Sequence, residues 1–233
     1  MIVLVPRGAA RPGLPVALDE EESHHLRVRR AAPGETVELR DGAGLAGAGV
    51  LESNGRVWSV TVSEASTMPP LPGLTLAVGA GDRERFLWLV EKAAELGVSR
   101  IVPIESERTA GVATRVRATH LEKLARRALE ATKQSGAHWS PDIAGLEPFA
   151  QFVAQARSGA LWLAEAGASS PQQVGAGDVT VLIGPEGGLT SAERSGAIGA
   201  GWTPVSLGTN VLRFETAAIA AAAYVAIQRQ GRI

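Results

Sequence analysis

A chain of 233 residues with 45% apolar and 20% charged residues and a net charge of −1 has the composition of a folded globular protein, not of a disordered or fibrous one. It has no cysteine, which excludes disulfides, thiolate nucleophiles, iron–sulfur clusters and cysteine-based zinc sites. The four histidines (His24, His25, His120 and His138) lack the i, i+4 spacing and carboxylate company of a metal motif, so no metal is expected.

Residues 1–67 read as short β-branched strands, "MIVLV", "PVAL", "TVELRD", "GAGVLES" and "RVWSVTVSEA", as in a small β-barrel or sandwich. "TMPPLPG" follows, with three prolines in four positions, a composition that suppresses both helix and interior strand. Residues 68–73 are therefore expected to link a first domain, 1–67, to a second, 74–233. From Leu74 onward the strand-like runs "LTLAV", "RIVPI", "ALWLA", "VTVLI" and "TPVSLG" alternate with helical patterns. That alternation predicts an α/β domain with a parallel sheet and crossover helices.

The helices carry start and stop signals. Asp82 can cap a helix whose Phe86, Leu89, Val90, Ala93 and Leu96 form one stripe, ended by Gly97. Thr119 and Glu122 have capping-box spacing before a stripe of Leu121, Leu124, Ala125, Ala128 and Leu129 that Gly136 stops. A last helix near Thr216 is apolar all round as far as Ile227, so a second subunit is a candidate cover for its outer face. The apolar run Ala217 to Ile227 is far shorter than the roughly 20 residues of a membrane span. With no signal-peptide pattern at the N-terminus, a cytoplasmic protein is expected.

Between Arg100 and His138 eight basic residues stand against four acidic ones. This is compatible with a phosphate-facing surface, although charge alone favours a solvated helix face with i, i+4 pairs.

Four glycine-rich or charged motifs were weighed as ligand sites. "GAGLAG", Gly42 to Gly47, matches G-x-G-x-x-G, but another strand follows where a dinucleotide site needs a helix, so a hairpin turn is the better reading. "AVGAGDRERF" lies between a strand and a helix without a third glycine, and reads as a βα loop that approaches a ligand at most. "VLIGPEGGLTSAE", Val181 to Glu193, joins a buried strand to a helix capped by Thr190 and Glu193. Two glycines and a proline exceed what a tight turn needs and favour close backbone approach by a ligand. It lacks the lysine of a phosphate loop, and Glu186 would repel phosphate, so a neutral or cationic ligand fits it. In "SLGTNVLRFETAAIAA", Ser206 to Ala221, Glu215 suits a first helical turn. Arg213 opposes the helix dipole and therefore invites a carboxylate, Glu215 or another, or an anionic ligand.

These last two motifs, preceded by "EKAAELGVSRIVPIESERT" and "HHLRVRRAAPGETVELRDG", resemble the RsmE-type bacterial 16S ribosomal RNA uridine-N3 methyltransferases of the knotted SPOUT superfamily. The resemblance runs from His24 to Ala221. It implies S-adenosylmethionine as methyl donor and S-adenosylhomocysteine as product, a C-terminal trefoil knot, a PUA-like N-terminal domain, a homodimer, and the 30S subunit as substrate. It implies a cofactor site lined by Leu163, Ala164 and Glu165, by Ile183, Gly184, Pro185, Glu186, Gly187 and Gly188, and by Leu207, Gly208, Asn210, Val211 and Leu212. Arg213 and Glu215 match the family's "LRxETA" element; as catalytic residues, Arg213 is expected to stabilise charge developing on the uracil, with Glu215 orienting it or a water taking the N3 proton. RNA would meet His24, His25, Arg27, Arg29 and Arg30 together with Lys123, Arg126, Arg127 and Lys133. The chain departs from the family pattern at Lys133 and His138, and it lacks a basic residue common before the first helix of the second domain. A noncatalytic RNA-binding protein and a methyltransferase for another RNA remain the alternatives.

Overall fold

The computed structural model describes residues 1–155, 157–175 and 177–230; the last three residues of the expected second domain lie outside these. The chain divides into two units, one of Met1–Pro70 with Thr132–Ser140, the other of Leu71–Ala131 with Pro141–Ile233. The return of 132–140 to the N-terminal unit was not anticipated by a division drawn along the sequence.

In the first unit β1 (Ile2–Leu4), β2 (Pro15–Ala17), β3 (Thr36–Arg40), β4 (Leu45–Asn54) and β5 (Val57–Thr67) form one sheet in the order β1-β3-β4-β5-β2. The alternating residues Val37, Leu39, Leu51, Trp58, Val60 and Val62 fill its core, as a half-buried sheet requires. Between β2 and β3 lies α1 (Glu20–Val28), capped by Asp19, which accepts from the Glu22 amide at 2.8 Å. The first half of "GAGLAG" is the β3–β4 turn, with Gly42 and Gly44 at positive φ and Asp41 accepting from the Ala43 and Leu45 amides, and its second half opens β4.

The second unit holds β6 (Leu74–Gly79), α2 (Arg83–Glu95), β7 (Arg100–Glu105), α3 (Leu121–Ser135, shared with the first unit from Thr132), β8 (Asp142–Ile143) and β9 (Glu147–Pro148). It continues with α4 (Phe149–Ala154), β10 (Ala160–Ala164), β11 (Val179–Ile183), α5 (Ser191–Gly199), β12 (Thr203–Val205) and α6 (Phe214–Gln230). All pairings are parallel, in the order β12-β10-β11-β6-β7-β8, with β9 also on β7. Central β11 is buried along its whole length, which explains why its sequence is apolar rather than alternating. Because the strands are parallel, the loops leaving β6, β10, β11 and β12 share one edge of the sheet, where ligand sites of α/β folds form.

Asp82 caps α2, accepting from the amides of Glu84 and Arg85, and Gly97 and Gly136 take positive φ after α2 and α3. The capping box expected at Thr119 and Glu122 is replaced. A 3-10 turn, Ala118–His120, leads into α3, and His120 Nδ1 accepts from the Arg117 amide at 3.0 Å. A local turn with its own acceptor displaced the pattern that spacing alone suggested. Among the described residues no helix is long and apolar enough to cross a membrane.

Candidate active site

The stretch Gly184–Gly188 leaves β11 and delivers the chain to Thr190. There the predicted capping box forms: Glu193 N–H donates to Thr190 Oγ1 at 3.2 Å, and Thr190 N–H donates to Glu193 Oε2 at 2.9 Å. Gly188 requires its lack of a side chain because its φ is +70°. The glycines of the "VGAGDR" loop have a different reason. A Cβ on Gly79 would stand 2.9 Å from Pro185 Cα, and one on Gly81 would stand 2.9 Å from Glu186 Cδ. That loop therefore packs on the Gly-Pro-Glu turn. Glu186 Oε1 closes the contact by accepting from the Asp82 amide at 2.8 Å, and Asp82 in turn accepts from Thr114 Oγ1 at 2.6 Å. The Thr114 hydroxyl, then the Arg85 amide, hold the Asp82 carboxyl below its ordinary pKa.

A second wall comes from the end of β10 and a third from the segment between β12 and α6. Glu165 N–H donates to Val205 O at 2.9 Å, Ser206 N–H to Ser169 O at 2.8 Å, and Ser206 Oγ to Gly208 O at 2.8 Å. Together these walls enclose a cavity of about 670 Å³, within the range of small-molecule sites. All fourteen residues that the resemblance assigns to a cofactor, in the three groups 163–165, 183–188 and 207–212, line it. Side chains that the sequence did not assign also line it, among them Arg85, Arg194 and Phe214. Arg194 is held by Glu165, Nε to Oε1 at 2.7 Å.

Arg213 lines the cavity and is exposed. Among the described residues its side chain has no hydrogen bond or ion pair. Glu215 lies apart. It is buried, 8% exposed, it is not among the cavity residues, and its Oε2 has no partner. Among the described residues no hydrogen bond or ion pair joins Arg213 to Glu215, and the carboxylate is buried where the guanidinium is exposed.

The expected RNA-contact residues divide. His24, Arg29 and Arg30 are exposed at and beyond the end of α1. Arg30 stands at φ 56°, the sole non-glycine residue at positive φ among the described residues. His25 lies 3.9 Å from Glu22, and Arg27 donates to Arg56 O at 2.8 Å. On α3, Lys123 is exposed, Arg126 pairs with Glu130 at 3.8 Å, and Arg127 lies 3.5 Å from Glu91. Lys133, also expected at the RNA, is ion-paired within the protein. Its ammonium sits 2.6 Å and 2.7 Å from the two oxygens of Glu22, with side chains 15% and 5% exposed, and Glu22 Oε2 also accepts from Leu4 N–H. Burial pushes the neighbouring His138 below its ordinary pKa, and the Arg40 charge adds to the shift. Among the described residues no cluster of three or more His, Cys, Asp or Glu is suited to a metal ion.

The family model for an RNA methyltransferase domain matches residues 68–226, and that for an RNA methyltransferase PUA domain matches residues 18–66. The chain is 33% identical over 224 residues to the ribosomal RNA small subunit methyltransferase E of Synechocystis, covering 90% of this chain and 72% of that one. To the enzyme of the same name from Mycobacterium bovis it is 28% identical over 231 residues, 92% of this chain and 87% of the other. The crystal structure of the Neisseria gonorrhoeae ribosomal RNA small subunit methyltransferase E bound to S-adenosyl methionine superposes with a TM-score of 0.85 at 27% identity. That match covers 98% of this chain and 97% of that one.

Proposed function

The chain belongs to the RNA methyltransferase family, and from that premise we propose that it methylates N3 of a uridine in 16S ribosomal RNA, using S-adenosylmethionine, as a cytoplasmic homodimer acting on the assembled 30S subunit. The observation that carries this reading is the cavity between Gly184–Gly188, Leu207–Leu212 and Leu163–Glu165. Its walls offer backbone amides and carbonyls, and its one glycine-rich turn is packed from behind by a second glycine loop.

These residues fit the cofactor. A cavity of about 670 Å³ suits a nucleoside-sized molecule. The Gly-Pro-Glu-Gly-Gly turn carries the Glu186 carboxylate and lacks the lysine of a phosphate loop, which fits a ligand other than a nucleotide phosphate at that wall. Backbone at Ile183–Gly188 and Leu207–Leu212, with Leu163, Ala164 and Glu165, would hold it. When bound, S-adenosylmethionine supplies an activated methyl group on a sulfonium.

The chain's own tasks are alignment and the handling of charge. As N3 of the uracil loses its proton, negative charge develops on the ring and its two carbonyl oxygens. Arg213, which lines the cavity and has no hydrogen bond or ion pair among the described residues, stabilises that charge. The lining carboxylates are already engaged, Glu165 with Arg194 and Glu186 with the Asp82 amide, and Glu215 lies off the cavity, so the proton passes to water. RNA contacts extend to His24, Arg29, Arg30 and Lys123, whose side chains are exposed.

The homodimer reading rests on α6. Its inner residues Ala217, Ala218, Ala221, Ala222 and Val225 are buried, while Ile227 is 66% exposed and Trp88 on α2 is 47% exposed. An apolar helix with such a residue in water suits a covered face, and light scattering of the eluted protein tests it. The trefoil knot belongs to the same reading; Tyr224 on α6 donates to Pro171 O, in the segment that follows β10, at 3.0 Å.

The test is methylation of purified 30S subunits, followed by nuclease digestion and mass spectrometry. The expected product is N3-methyluridine at one position. A methyl group on another atom or base overturns the uridine-N3 assignment, and no incorporation with bound cofactor favours a noncatalytic RNA-binding role.

A further inference from the structure

We infer that Arg85 is a second substrate-positioning cation, which grips a phosphate of the RNA strand entering the cavity beside Arg213. This rests on the reading of the chain as an RNA methyltransferase.

Helices α2 and α6 each carry an Arg-Phe pair where they begin, Arg85-Phe86 and Arg213-Phe214. The two helices pack on one another through these phenylalanines. The rings lie 6.4 Å apart between centroids, with Phe86 fully buried and Phe214 3% exposed. Such a buried aromatic contact fixes the two backbones relative to each other. It thereby brings the two preceding arginines, distant by more than a hundred residues of chain, to the lining of one cavity.

Arg85 shares the property that singled out Arg213. A cation in the first turn of a helix is opposed by the helix dipole, so structure alone gives it no reason to be there. Among the described residues the Arg85 side chain makes no hydrogen bond or ion pair; the Asp82 carboxylate three residues earlier attracts it without contact. The nearby carboxylates are committed elsewhere. Asp82 accepts from Thr114 Oγ1 and from two backbone amides, and Glu186 accepts from the Asp82 amide. Of the three arginines that line the cavity, only Arg194 is neutralised, by Glu165.

Two unneutralised guanidiniums at one cavity exceed what one uracil needs. The ring's developing charge takes one, and the nucleotide's own phosphate is the nearest remaining anion of the substrate. Guanidinium suits phosphate because its planar N–H groups match two phosphate oxygens. A half-buried position on the first turn of α2 limits the desolvation cost of holding that charge ready.

The test measures binding of 16S ribosomal RNA, in the presence of saturating S-adenosylhomocysteine, as a function of salt for the wild type, Arg85→Ala and Arg85→Lys. Each phosphate contact on a single strand contributes roughly 0.7 to the slope of log affinity against log salt. Arg85→Ala is expected to lower the slope by about that amount, Arg85→Lys to restore it, and both to bind S-adenosylhomocysteine as the wild type does. An unchanged slope in Arg85→Ala overturns the inference. So does a tenfold loss of S-adenosylhomocysteine affinity, which would make Arg85 a cofactor contact. A wild type that binds neither RNA nor S-adenosylhomocysteine overturns the methyltransferase reading itself, an outcome distinct from either of these.

Discussion

Helix α3 and the cavity carry comparable numbers of cations and use them in opposite ways. On α3, Arg126 and Arg127 lean on Glu130 and Glu91, and Lys133 is sealed against Glu22. In the cavity, Arg194 is paired, but among the described residues Arg85 and Arg213 make no ion pair. The sequence shows the first group as a basic run and the second as isolated residues, so local charge density does not separate paired cations from unpaired ones. What distinguishes the cavity pair is that no carboxylate among the described residues stands at ion-pair distance from either, and only the fold reveals that.

The largest effect is expected at the cavity. Arg213→Ala should lower the methylation rate by about 10²–10³-fold, the usual cost of removing a preorganised charge-stabilising donor, while calorimetric affinity for S-adenosylhomocysteine stays unchanged. Equal loss of both would make Arg213 a cofactor residue and erase the contrast. Next comes the sealed pair. Lys133→Ala leaves Glu22 buried without its counter-charge, and should destabilise the fold by about 3 kcal/mol in urea titrations without changing the RNA salt slope. A variant of wild-type stability but weaker RNA binding would return Lys133 to the substrate surface.

Smaller effects belong to the exposed pairs. Arg127→Ala should change stability by less than about 0.5 kcal/mol and lower the RNA salt slope by less than Arg85→Ala does. The reverse ranking breaks the distinction between spent and free cations. The smallest effect is that of pH on His138. Burial lowers its pKa, so the native state resists a proton that the unfolded chain accepts near pH 6.5. Stability should therefore be full above about pH 6.5 and decline as pH falls below it. In His138→Gln that part of the decline should vanish from chemical denaturation measured between pH 7.5 and 5.5.

Much of the cavity could be read from the sequence because its walls are backbone. Strand runs such as "VTVLI", the caps at Asp82 and Thr190, and paired glycines leave marks in residue type, since positive φ and close approach exclude side chains at fixed positions. The rest depended on long-range packing. Nothing local reveals that Gly79 exists to admit Pro185, that Lys133 meets Glu22 across 111 residues, or that Glu215 turns inward. Thr119 and Glu122 had the right spacing for a capping box, but the 3-10 turn at Ala118–His120 satisfied the helix start by another route. Arg85 was legible in principle. It breaks the helix-dipole preference just as Arg213 does, but without the Phe86–Phe214 contact the two could not be connected.

The most direct test is isothermal titration of the wild-type protein with S-adenosylhomocysteine. A backbone-lined cavity on every chain predicts saturable binding of one ligand per chain, retained in Arg213→Ala and in Arg85→Ala. No heat of binding to the wild type, at ligand concentrations well above those of ordinary cofactor sites, contradicts it.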